Sequence, residues 1–225
     1  MSKAEQYGKL VVSRKICRAC IGVRNPADAE LAEFDSDQIG PWSRLHGDLN
    51  ADLMIVGQDW AGVSYYQKHR GLDDLQNPTM VTLERLLRTI GRDISMTSYD
   101  TGPRGAFLTN AILCLKEGGL QAPVKRDWFA NCGTRFLRHQ VEIVAPRVVV
   151  TMGRHAYEAL LLAYGERPKP FREAVESPSD HALPNGSLHF PVYHCGQRVL
   201  NTHRSYALQV QDWAKIGQAL QHQRV

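Results

Sequence analysis

Asp52-Leu53-Met54-Ile55-Val56-Gly57 is the stretch on which the fold turns. Its four apolar residues in a row end at a glycine, too short a run for a helix. It also lacks the alternation of a strand that is wet on one face. Such a run suits a strand covered on both sides, as in a parallel sheet. Similar runs recur at 106–112 (Ala-Phe-Leu-Thr-Asn-Ala-Ile), 147–152 (Arg-Val-Val-Val-Thr-Met) and 198–201 (Arg-Val-Leu-Asn). Helical stripes lie between and after them. Residues 81–90 carry Leu83, Leu86, Leu87 and Ile90 at i, i+3, i+4 and i+7. Residues 125–144 carry Trp128, Phe129, Phe136, Leu137, Val141 and Val144, ended by Pro146, and 154–164 and 206–220 complete the set. Strands alternating with helices predict an α/β fold: three α/β/α layers around a central, mostly parallel four-stranded sheet with right-handed crossovers. In such sheets the site lies beyond the carboxyl ends of the strands.

Length and charge set the outer limits. With 225 residues, 43% of them hydrophobic, the chain suits one compact domain with a sizeable core. The formal charge of +4 permits nucleic-acid binding without demanding it, because phosphate contacts need local charge. No apolar run approaches the roughly 20 residues that span a bilayer. The first 15 residues are polar and basic rather than signal-like. A cytoplasmic, monomeric protein is therefore expected. In a reducing compartment its five cysteines suit free thiols or metal ligands better than disulfides.

Polar residues stand at the expected strand exits. The first strand runs into Gly57-Gln58-Asp59-Trp60-Ala61-Gly62, whose glycines permit tight turns and leave a carboxylate at the exit. Its spacing fits neither a P-loop nor a dinucleotide fingerprint, and an Asx turn would account for Asp59 equally well. The second ends in Thr109-Asn110-Ala-Ile-Leu-Cys114. The amide of Asn110 offers a donor and an acceptor together, a match to a pyrimidine edge, although one such Asn more often serves nearby backbone. The fourth run enters Asn201-Thr202-His203-Arg204-Ser205. There His203 could donate to a developing anion, and Ser205 could cap a helix or bind a phosphate.

In order and spacing, these three segments resemble the motifs of uracil-DNA glycosylases. Cys17-Arg-Ala-Cys20 precedes the first motif, Cys114 follows the Asn motif, and Cys132 lies in the next helix. That arrangement resembles the iron–sulfur, family 4 type branch, and the likeness spans about residues 16–208. The resemblance implies a DNA glycosylase that hydrolyses the N-glycosidic bond of uracil, or of a related deaminated base, and so initiates base excision repair. It implies Asp59 at the sugar, His203 at the base oxygen and Asn110 reading the base. Gly57 and Gln58 would complete the pocket, with Trp60, Tyr65 or Tyr66 as stacking rings and Arg204 and Ser205 toward phosphate. Tyr206 or Leu208 would wedge the duplex. The branch also implies a [4Fe–4S] cluster on Cys17, Cys20, Cys114 and Cys132, tying the segment 1–50 onto a single domain of residues 1–225. By residue type alone, zinc on four thiolates is the alternative. Cys195 is expected to be an ordinary semi-buried thiol.

The sequence also departs from that branch. Gly57-Gln-Asp-Trp-Ala-Gly62 replaces the usual Gly-Glu-Ala-Pro-Gly and is closer to the opening of the cluster-free enzymes, and His203-Arg-Ser205 replaces His-Pro-Ser. The segment that supplies a stacking Phe in relatives is replaced by Arg70-Gly-Leu-Asp-Asp-Leu-Gln-Asn77. These changes keep a second reading open, a catalytically silent damaged-DNA-binding protein of the same fold.

Overall fold

In the computed structural model, residues 1–40, 48–74, 76–92, 105–118, 122–177 and 182–221 are described. Four strands, β2 (Leu53–Asp59), β3 (Ala106–Ile112), β5 (Val148–Met152) and β6 (Leu188–Val192), form one sheet in the order β3-β2-β5-β6, with every neighbour parallel. Alternate side chains of β2 serve opposite faces, as the pleat requires. Met54 and Val56 pack with helices α1 (Lys3–Ile16), α4 (Arg126–Cys132), α5 (Arg138–Val144) and α6 (Arg154–Ala163). Leu53 and Ile55 pack with α3 (Pro78–Thr89) and α9 (Tyr206–Gln221). Both faces are dry, so the strands read as unbroken apolar runs. The expected three-layer α/β/α sheet is present.

The helices follow their sequence signals. In α3, Asn77 caps the Thr79 N–H at 3.0 Å, and Pro78 sits at the first position, where no hydrogen bond is lost. The expected helix 125–144 is α4 and α5 joined by a π turn at Gly133–Leu137, and it ends at Ala145 in the left-handed region before Pro146. Gly133 lets this helix lie close to α6, because a Cβ there would stand 3.4 Å from the Ala159 carbonyl. The polar segment at the N-terminus forms α1, which carries a capping box between Ser2 and Glu5.

The fourth strand is corrected. Residues 198–201 lie in a short helix, α8 (Gln197–Thr202), which starts after Gly196, and β6 takes the strand's place. β6 is an edge strand, so Pro191 costs the sheet no inner hydrogen bond.

A two-stranded antiparallel pair, β1 (Val23–Arg24) with β4 (Leu115–Lys116), clips the N-terminal segment to the end of β3. Short helices α2 (Val63–Lys68) and α7 (Phe171–Glu176) flank the carboxyl edge of the sheet. No helix among the described residues is long and apolar enough to cross a membrane.

Candidate active site

The carboxyl ends of β2, β5 and β6 open into a cleft of about 780 Å³. Gly57, Gln58, Asp59 and Trp60 line it, together with Lys116, His155, Tyr193, His194 and His203. That volume is in the range of small-molecule pockets and accommodates a nucleoside.

Asp59 ends β2 with its side chain largely buried, and Lys116 Nζ lies 2.9 Å from its Oδ2. Gln58 Nε2 donates to Asp59 Oδ1 at 3.4 Å, and Gln58 Oε1 sits 2.5 Å from His155 Nδ1 on α6. The carboxylate is thus held from two sides. Asn110 is paired in register with Gly57 and is 2% exposed. Its amide oxygen is buried and accepts no hydrogen bond among the described residues. A buried acceptor left open in this way costs free energy unless something else fills it.

The two histidines differ in kind. His203 follows α8, is exposed, and has its Nδ1 2.5 Å from Thr202 Oγ1, at the cleft's rim. His194 stands two residues beyond β6, half-buried, with Asp59 among the charges acting on it. Burial pushes its pKa down. Gly196 N–H donates to its Nδ1 at 3.0 Å, so the ring proton resides on Nε2 and the neutral imidazole is a donor. The sequence reading looked for this residue after the misplaced fourth strand and so passed over His194. Lys116, His155, Phe171 and Tyr193 were missed as well. Only Tyr193-His194 had a signal, their place directly after a strand.

Other expected residues have other partners. Arg204 makes a two-pronged pair with Asp212, at 2.9 and 2.7 Å, and turns inward rather than toward a phosphate. Ser205 Oγ accepts from the Leu208 N–H at 3.4 Å, at the head of α9. Trp60 donates its indole N–H to Asp73 at 3.0 Å and meets Tyr65 and Tyr66 edge-on. Tyr66 is core, whereas Trp60 and Tyr65 line the cleft beside Phe171 and Tyr193. Tyr206 has Arg85 over its ring at 4.7 Å, and Leu208 remains exposed. Cys195 is buried, its thiol pushed up to about 12 by that burial, and it donates to the Thr79 carbonyl.

The other four cysteines face one small cavity behind β1 and β4. Asn131 Nδ2 donates to the Ala19 carbonyl at 3.2 Å, and Trp128 to that of Ile21 at 3.1 Å, which seats the Cys17–Cys20 loop on α4. A hydrogen bond with Cys132 lowers the Cys20 thiol to about 6 and raises that of Cys132. Burial, then the charges of Cys17 and Cys20, push Cys114 up to about 12. Among the described residues, no three His, Cys, Asp or Glu side chains are grouped tightly enough to hold a metal ion as they stand.

The sequence profile of the uracil DNA glycosylase superfamily matches residues 45–217, more than half of the chain. The chain belongs to the uracil-DNA glycosylase superfamily. The match includes all four strands of the sheet, Cys114 and Cys132, whereas Cys17 and Cys20 lie before it. No individual curated protein matches the sequence significantly. Members of this superfamily are in general N-glycosylases acting on DNA, and the cleft lies where its sheet predicts a site.

Proposed function

We propose that this superfamily member excises uracil, or a related deaminated base, from DNA by hydrolysis of the N-glycosidic bond. The observation that carries the reading is that Asp59 and His194 line one cleft at the carboxyl end of the sheet, with the buried, open amide oxygen of Asn110 on the neighbouring strand, in register with Gly57. The base must leave the stack to reach them. Heterolysis leaves a cationic sugar and a base anion. Asp59, fixed by Lys116 and Gln58, stabilises the sugar at C1′ and orients the attacking water. His194 donates from Nε2 to the base oxygen as charge develops there. The donor role expected of His203 thus passes to His194, and His203 contacts the substrate at the rim. The amide oxygen of Asn110 accepts the N3–H of uracil, a proton that cytosine lacks. Trp60, Tyr65, Phe171 and Tyr193 supply aromatic surface for the flipped ring.

Cys17, Cys20, Cys114 and Cys132 fit a [4Fe–4S] cluster by donor type and by facing one cavity, with zinc as the alternative. Bound there, a cluster supplies structure, tying α1 and the Cys17–Cys20 loop to α4. Iron content and broad visible absorbance of the purified protein test this assignment, and a colourless zinc protein refutes it.

The activity is tested on oligonucleotides carrying one uracil, cleaved with alkali after incubation. An abasic product is expected, with Asp59→Asn and His194→Ala slower by orders of magnitude and His203→Ala less affected. No product from single- or double-stranded DNA refutes the activity. Tight binding without turnover supports the silent DNA-binding alternative. Equal loss in both histidine variants refutes the assignment of His194 alone.

A further inference from the structure

We propose that Lys116 is a nucleophile toward the abasic sugar, giving this protein a DNA-strand-cleaving lyase activity beyond base release. The inference rests on the reading of Asp59 as the group at C1′. The Nζ of Lys116 lies 2.9 Å from that carboxylate, so an amine beside Asp59 is within reach of the same carbon. Both side chains are largely buried, at 7% and 13% exposure, and both line the cleft. Lys116 is the one lysine lining it among the described residues.

The fold takes trouble to place this amine. Lys116 pairs with Val23 across β4 and β1, and it bridges to Gly62 in the loop that follows Asp59. Gly62 lies so close that a Cβ there would stand 2.6 Å from the Gly118 carbonyl. As a stabilising device a buried ion pair is poor, because an apolar pair of similar volume serves a fold as well or better. A buried lysine opening on a cleft is, however, the kind of amine that forms imines with carbonyl carbons, and the carboxylate beside it can take its proton.

The chemistry balances without an added reagent. Once the base has left, the sugar opens to an aldehyde at C1′. Lys116 passes a proton to Asp59, and its nitrogen attacks C1′. Two ammonium protons, one of them relayed by Asp59, leave with the carbonyl oxygen as water, and a protonated imine remains. Asp59 then removes a C2′ proton, and the electron pair expels the C3′ oxygen as the 5′-phosphate of the downstream strand. Hydrolysis of the imine by one water restores Lys116 and releases an unsaturated aldehyde on the upstream strand.

The experiment uses the full-length protein and an oligonucleotide whose single abasic site is prepared beforehand, so no base excision is needed. Sodium borohydride is added, and covalent protein–DNA adduct is measured on a denaturing gel. Wild type is expected to form adduct, and peptide mapping to place it on Lys116. Lys116→Arg, which keeps a cation beside Asp59, should fall below about one hundredth of the wild-type yield. Absence of adduct in wild type overturns the proposal, as does adduct mapped to another amine or retained in Lys116→Arg. The mapping decides the matter even if that variant does not fold. Uracil excision is measured in parallel with alkali. Excision without adduct refutes the lyase and leaves the glycosylase standing, whereas adduct without excision does the reverse.

Discussion

Replacing Asn110 by Leu should raise stability while abolishing excision. Leu has the same branching as Asn, so the strand and its register with Gly57 need not change. What changes is the amide oxygen, buried and without a hydrogen-bond donor among the described residues. An orphaned buried polar atom costs about 1–3 kcal/mol, and losing an amide N–H bond gives back about 1 kcal/mol. The net gain is about 1 kcal/mol, which in a chain of this length raises Tm by about 2–4 °C. Excision of uracil should drop by about three orders of magnitude or more, since the base loses the group that reads it. Thermal melts and single-turnover excision, run on the same preparation, check both halves. A lower Tm with excision intact would refute the reasoning, because Asn110 would then be a structural residue and its open oxygen incidental.

Three further outcomes are expected. Asp59→Asn should cost about 3–5 kcal/mol in urea denaturation, since it leaves the Lys116 charge buried and uncompensated; adding Lys116→Met should restore most of that without restoring excision. Gly62→Ala should cost about 1–3 kcal/mol by forcing a Cβ against the Gly118 carbonyl, while Gly8→Ala on open α1 should not destabilise, as paired denaturation curves would show. Burial holds His194 below its ordinary 6.5, so its neutral form contributes stability that is full above that value and lost as pH falls toward the folded-state pKa. Tm should therefore fall as pH drops below about 6.5, and His194→Gln should flatten that slope.

The sequence made the inner sheet legible because β2, β3 and β5 are dry on both faces, and apolar runs such as Val148–Met152 can arise in few other ways. β6 was hidden because an edge strand tolerates His189 and Pro191, which break the run. The stretch Arg198-Val-Leu-Asn201 looked apolar enough to replace it, but those residues are exposed or half-exposed on a short helix. That one exchange carried the reading past His194, just beyond β6, to His203. That four cysteines face one cavity could be anticipated because Cys17 and Cys20 are close in sequence and Cys114 follows the Asn110 segment. Lys116 could not. Its partner lies 57 residues earlier in the chain, and only the crossover of the sheet brings the two together. Arg204 looked like a phosphate contact for a similar reason, since its pairing with Asp212 across the start of α9 leaves no pattern in the sequence.

Between Cys114 and Lys116 there is a single residue, Leu115, fully buried. A tether that short has no slack. A side chain exchanged at Cys114, or a backbone shift that follows loss of whatever the thiols hold, moves the amine opposite Asp59 by nearly the same amount. A mutational scan of 113–115 would therefore find durability and turnover moving together. Anyone seeking a hardier variant would have to work elsewhere, on the far side of the sheet where α3 meets α9.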